Sequence, residues 1–135
     1  MTDSEQAVAT AEELRDGEMK QISVAGTEIL LARVDGTYHA IAAHCTHYGA
    51  PLVDGVLNGE RIVCPWHHAC FNVTSGDLEE PPAVDSLPCF SVRVENGKVL
   101  VDVPEDAKDR RLPPMTKRQR IDKRVFVIVG GGAAG

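Results

Sequence analysis

The sequence predicts an all-β domain, a small antiparallel barrel or sandwich, on three observations. Seven brief β-type runs follow one another, at 21–24, 28–34, 38–42, 61–64, 70–73, 90–95 and 98–103. Asp35-Gly36, Asn58-Gly59 and Asn96-Gly97 punctuate them, and each dipeptide favours a tight reversal that needs positive φ. Val99, Val101 and Val103 alternate with Lys98, Leu100 and Asp102, a mostly two-residue period. Many short strands with regular turn signals suit a sheet that closes on itself or packs on another.

The elements follow in order. Thr10-Ala-Glu-Glu13 fits a capping box, so a short helical turn is expected through Leu14, ending near Gly17. The seven strands then occupy the chain to residue 103, with no internal repeat. From Pro104 the character changes. Pro113-Pro114 precedes a polar run at 117–124, where Lys117, Arg118, Arg120, Lys123 and Arg124 are basic and Ile121 alone is apolar. Residues 125–129 form a continuous, mostly β-branched run of the kind found in buried parallel strands. The expected organisation is a folded domain over 1–107, a basic linker over 108–124, and the start of a second unit over 125–135.

At 135 residues the chain is long enough for one small domain with a single core. No apolar run approaches the ~20 residues that span a bilayer. Residues 1–14 hold four acidic and no basic side chains, unlike secretory or import signals, so a cytoplasmic location without membrane association is expected. The net charge of −6 hides an asymmetry. Residues 1–107 carry six Lys or Arg against eighteen Asp or Glu, whereas 108–135 carry eight basic against two acidic. An acidic body repels phosphates and argues against a nucleic-acid partner; it suits docking to a basic partner or simple solubility.

Four cysteines in such a chain point to metal ligands or buried thiols before disulfides. Cys45-Thr46-His47, sixteen intervening residues, then Cys64-Pro65-Trp66-His67 give C-x-H and C-x-x-H halves. Each half presents one thiolate and one imidazole. A Rieske [2Fe–2S] centre needs this composition, because two His replace two Cys on one of its irons. Gly49, Pro51 and Pro65 suit short loops that turn around an inorganic core. Two ferric ions, two sulfides and two thiolates sum to zero charge with neutral imidazoles, so one added electron leaves a modest −1. A structural zinc site takes the same four donors, although C-x-H is a less usual half for it. A zinc-stabilised interaction module therefore stands as a rival, separable by colour and metal analysis.

The stretches His44-Cys-Thr-His-Tyr-Gly-Ala-Pro-Leu52, Cys64-Pro-Trp-His-His-Ala-Cys-Phe71 and Ser75-Gly-Asp-Leu78 resemble the Rieske family over roughly residues 11–106. The resemblance implies a β-sandwich base with an inserted cluster-binding subdomain, and it places the ligand role on Cys45, His47, Cys64 and His67. His68 sits where many members have Gly. Ala50 and Trp66 stand where the high-potential members of cytochrome bc complexes have a cysteine pair, and Ala69 and Phe71 where those members place hydroxyls. Fewer donors to sulfur stabilise the reduced state less, implying a potential toward the low end of roughly −150 to +300 mV and ferredoxin-type service.

The run 125–129 leads into Gly130-Gly-Gly132-Ala-Ala-Gly135, a G-x-G-x-x-G pattern. Its glycines permit a sharp strand-to-helix turn and close approach of a pyrophosphate, so Gly130, Gly132 and Gly135 are candidate FAD-binding residues. A cluster domain ahead of such a pattern resembles the apoptosis-inducing-factor-like flavoproteins. The resemblance implies an N-terminal electron-transfer part of an NAD(P)H–flavin oxidoreductase, with FAD and NAD(P) held only by the longer protein. Its partner is then a C-terminal flavin reductase domain or an external redox protein. The alternative is a stand-alone ferredoxin serving a ring-hydroxylating dioxygenase. Cys70 and Cys89 read as buried inert thiols, Tyr48 and Phe90 as core, and Trp66 as a shield of the centre.

Overall fold

Two-residue reversals set the architecture. The computed structural model describes residues 5–104, 107–108, 110–112, 123–125 and 127. Its strands are β1 (Glu5–Thr10), β2 (Met19–Val24), β3 (Thr27–Val34), β4 (Thr37–Ala42), β5 (Val56–Asn58), β6 (Arg61–Val63), β7 (Cys70–Asn72), β8 (Leu78–Glu80), β9 (Cys89–Glu95) and β10 (Lys98–Asp102). Asp35 and Gly36 (φ 49° and 79°) turn β3 into β4, and Asn96 and Gly97 (53° and 74°) turn β9 into β10. Positive φ at both positions matches the twist of the flanking strands. At Asn58-Gly59 the reversal falls one residue late: Asn58 still pairs with Arg61, leaving Gly59 and Glu60 as the loop.

The strands form two sheets. One has six strands in the order β1-β10-β9-β4-β3-β2, and the other has four in the order β5-β6-β7-β8. The larger consists of two three-stranded halves that share only the pairs Ala40↔Phe90 and Ile41↔Cys89. Its outer strands β1 and β2 touch, so the halves curl over a common core. The four-stranded sheet leaves from the end of β4 and returns at β9, where the Ala42 N–H donates to the Pro88 carbonyl at 3.0 Å. This is a base carrying an inserted subdomain, as the sequence implied. Val99, Val101 and Val103 are fully buried while Lys98 is exposed, confirming the two-residue period. Ile29, Leu30, Leu31 and Ala32 of β3 are all buried. One continuous apolar cluster joins them to Leu52, Ile62, Phe71 and Leu87 of the insert.

The helical turn expected at 10–14 is a correction. The Glu13 N–H donates to the Thr10 carbonyl at 3.1 Å, a single turn that no helix follows. The Tyr38 hydroxyl takes over the groups a second turn needs: it accepts from the Leu14 N–H at 3.2 Å and reaches the Ala11 carbonyl at 3.1 Å. Upstream, where no strand is expected from the sequence, residues Glu5–Thr10 form β1 against β10, with a bulge at Val8. The hairpin at Ala25-Gly26 (φ 51° and 82°) and the short strands β5 and β8 also went unforeseen.

Candidate metal centre

The two predicted loops have the same closure. In the first, the Cys45 N–H donates to the Ala50 carbonyl at 2.9 Å; in the second, the Cys64 N–H donates to the Ala69 carbonyl at 2.8 Å. Both alanines are fully buried, so each loop is a six-residue arch standing on a small side chain. The first is drawn tighter by the Gly49 N–H to the Cys45 carbonyl at 2.9 Å, with Gly49 at φ 77°, and by a bridge between His44 and Pro51. The second bends through His67 and His68, both left-handed at φ 61° and 63°. Histidine tolerates that region better than most side chains, though glycine adopts it at no steric cost. A 3₁₀ turn (Leu52–Asp54) follows the first arch and ends on Gly55, whose Cα lies against the Val63 carbonyl just before Cys64. The arches are thereby held side by side.

The four donors meet as two pairs. Cys45 and Cys64 are buried, and their thiols lie close enough to interact. Burial pushes the Cys64 thiol up to about 11, the Trp66 N–H opposes the shift, and the neighbouring Cys45 adds to it. The His47 and His67 rings lie edge to face with centroids 5.2 Å apart, and Tyr48 stacks on His47 at 3.9 Å. His67 is exposed and His47 half-buried. The Nδ1 of His47 is buried without a hydrogen-bond partner among the described residues, a costly state for a polar atom unless a ligand completes it. Among the described residues no three Cys, His, Asp or Glu side chains are grouped to hold a single ion. A sulfur pair beside a nitrogen pair suits a binuclear centre with different donors on its two metals better than one tetrahedral zinc. The donor set and the orphaned imidazole nitrogen therefore fit a [2Fe–2S] cluster.

Around the donors, several expectations change. Tyr48 is 68% exposed and is not core; with Trp66, 50% exposed, it stands at the rim of the site. Phe90 and Cys70 are buried as expected, whereas Cys89 lies at the surface. The Cys70 thiol faces the Glu80 carboxylate at 3.3 Å, and burial holds it above its ordinary range. Gly130, Gly132 and Gly135 lie outside the described residues. Supports unseen in the sequence include Thr46, whose hydroxyl donates to the Asp85 carbonyl at 2.7 Å, and Gly55. Their partners are distant in the chain and follow no period.

Comparison with known proteins agrees with this geometry. The family model for the Rieske [2Fe–2S] domain matches residues 4–91. Apoptosis-inducing factor 3 of Homo sapiens is 41% identical over 138 residues; the match covers 97% of this chain but only 23% of that protein. The ferredoxin component of the naphthalene 1,2-dioxygenase system of Pseudomonas putida is 34% identical, covering 73% of this chain and 93% of its own length. The solved ferredoxin of carbazole 1,9a-dioxygenase from Nocardioides aromaticivorans IC177 superposes with a TM-score of 0.71 at 30% identity, covering 74% of this chain and 98% of that one. Paired arches, a sulfur pair beside a nitrogen pair, and a family match over most of the described fold lead to one assignment: the chain belongs to the Rieske [2Fe–2S] domain family.

Proposed function

We propose that this chain is a one-electron carrier in which Cys45 and Cys64 hold one iron of a [2Fe–2S] cluster and His47 and His67 hold the other. When bound, the cluster supplies reversible uptake of a single electron at low potential. The thiols must ionise to serve as ligands, so the buried Cys64 gives up a proton it otherwise holds to about pH 11. His67 presents its imidazole to solvent, and Tyr48 and Trp66 extend that rim, giving a docking protein a short path to the nitrogen-ligated side. Ala50, Ala69 and Phe71 offer no side-chain donor to sulfur, which supports a potential at the low end of the family's range.

The wider reading is the N-terminal part of an NAD(P)H–flavin oxidoreductase that works in the cytoplasm. The likeness to apoptosis-inducing factor 3 runs through 97% of the chain, past the ferredoxin-like core and into the glycine-rich segment. In that reading Gly130, Gly132 and Gly135 belong to an FAD site, and a flavin reductase domain is the redox partner. The four free cysteines suit a reducing compartment. A second reading, a ferredoxin serving a dioxygenase, draws on the near-complete coverage of the naphthalene dioxygenase ferredoxin. The observation that carries the proposal is the orphaned His47 Nδ1 beside a thiol pair. The test is an electron paramagnetic resonance spectrum of the dithionite-reduced chain with iron, sulfide and zinc analysis. The expected result is an average g value below that of all-cysteine clusters. Colourless protein holding zinc alone refutes it.

A further inference from the structure

The chain does not leave the domain at the end of β10. Past Pro104 it crosses to the insert, where Arg111 bridges to Ser86. The Ser86 N–H donates to the Arg111 carbonyl at 2.8 Å, and the Arg111 N–H returns to the Ser86 carbonyl at 2.9 Å. The Arg111 guanidinium, half-buried, donates to the Leu87 carbonyl at 2.9 Å, the Ser75 carbonyl at 2.7 Å and the Asp77 carboxylate at 2.5 Å. These acceptors lie on two segments already joined by the Leu87 N–H to the Gly76 carbonyl at 2.8 Å. Ser86 is fully buried, and its hydroxyl accepts from the Leu78 N–H at 2.9 Å. One residue before the bridge, the Asp85 carbonyl accepts from the Thr46 hydroxyl at 2.7 Å, and the Asp85 carboxylate meets Arg110 at 3.2 Å. Thr46 is buried between Cys45 and His47.

We infer that Arg111 is a positioning residue for the first metal arch. It fixes segment 85–87 against the insert, and that segment holds Thr46, hence Cys45 and His47, in place. The inference rests on the ligand reading of those two residues. A planar guanidinium donates from separate nitrogens, Nε to the Leu87 carbonyl and Nη2 to the Ser75 carbonyl and the Asp77 carboxylate, a spread that the single nitrogen of an ammonium reproduces only in part. Such a network behaves as a unit: removing the guanidinium leaves three acceptors short, and the main-chain bridge between Arg111 and Ser86 then stands without side-chain support. The support of the metal site thus extends to residue 111, twenty positions past the family match at 4–91. Whatever pulls on the chain beyond Arg111 pulls on the arch through two hydrogen-bonded residues.

The test is hydrogen–deuterium exchange, read by mass spectrometry on the full chain as purified. It reports on backbone opening whatever metal the chain carries. Arg111→Gln is expected to speed exchange of the 44–50 arch by about tenfold or more, the loss of a charge-assisted hydrogen bond expressed as an equilibrium. Exchange at the Asn96-Gly97 hairpin stays unchanged. Arg111→Lys restores part of the protection. Coupling is mutual, so Thr46→Val is expected to speed exchange at 85–87 by a comparable factor. In cluster-loaded chain, Arg111→Gln shifts the reduction potential and Arg93→Gln, on the far hairpin, does not. Faster exchange at 75–78 and 85–87 with an unchanged arch overturns the inference, making Arg111 a local clamp. If Arg111→Gln fails to fold, Thr46→Val decides alone, and unchanged exchange at 85–87 overturns it. A chain that holds no iron refutes the ligand reading separately, because the exchange arms need no iron.

Discussion

Gly55 is the position where one added carbon should do most damage to the paired arches. Its φ of −86° and ψ of −161° suit any residue, so the obstacle to Gly55→Ala is space and not torsion. An added Cβ would stand 2.0 Å from the Val63 carbonyl oxygen, 3.1 Å from its carbon and 3.2 Å from the Leu52 oxygen. Ordinary contact begins near 3.4 Å, so the Val63 carbonyl must retreat by more than an ångström. Val63 pairs with Val56 and immediately precedes Cys64, so the retreat disturbs both the β5–β6 ladder and the entry to the second arch. Overpacking of this kind costs about 1–3 kcal/mol, and weakening a backbone hydrogen bond adds about 1 kcal/mol. The sum is roughly 2–4 kcal/mol, and with an m-value of about 2 kcal/mol per molar the urea midpoint should fall by roughly 1–2 M. The assay is urea unfolding of the full chain as purified, followed by circular dichroism. Gly49→Ala is the control: it has open space but φ 77°, so it pays only the left-handed term of about 1–2 kcal/mol. A Gly55→Ala chain within about 0.5 kcal/mol of the parent, the usual scatter of surface substitutions, refutes the close-approach reasoning.

Three further outcomes are expected. Ala25→Asn should stabilise the β2–β3 hairpin by about 0.5–1 kcal/mol, because Ala25 at φ 51° occupies a position that asparagine fills with less strain; the thermal midpoint reads it. His68→Gly removes a side chain from φ 63° at the second arch, a relief of about 1–2 kcal/mol partly offset by the greater freedom of glycine when unfolded. It should keep the cluster's spectrum while raising the unfolding midpoint slightly, and loss of the spectrum would assign His68 a role at the metal. Burial holds the His39 imidazole below its ordinary 6.5, with Glu60 opposing, so the fold favours its neutral form. The associated stability is complete above pH 6.5 and declines as pH falls through the depressed folded value; His39→Gln should flatten that decline in unfolding midpoints measured across the range.

The base and the donors were legible because local rules govern them. Asp35-Gly36 and Asn96-Gly97 announce hairpins through residues that accept left-handed backbone, and both formed. Cys45, His47, Cys64 and His67 were picked out by spacing alone, and the fold brings the two thiols together and the two imidazoles together. What stayed hidden depends on distant partners. Alanine does not announce a left-handed turn, so Ala25-Gly26 passed unnoticed. The capping signal at Thr10 yields a single reversal and no helix, because Tyr38, twenty-four residues beyond Leu14, takes the Leu14 N–H. β1 owes its conformation to β10 at the other end of the domain. Thr46 reaches across 39 residues to Asp85, and Arg111 across 36 to Ser75, contacts that no local pattern records.

The seam in the base has a consequence for how such a molecule can be altered. Ala42 and Pro88 are hydrogen-bonded neighbours, so the excursion between them starts and finishes at one spot. Closing a longer or shorter excursion changes the chain entropy by only about 0.6 kcal/mol per doubling of length. The mouth therefore works as a socket whose spacing is fixed while its contents can vary. A metal-bearing cassette of different length can be grafted there with the socket unaltered, provided it replaces the apolar contribution of Leu52, Ile62, Phe71 and Leu87 to the common core.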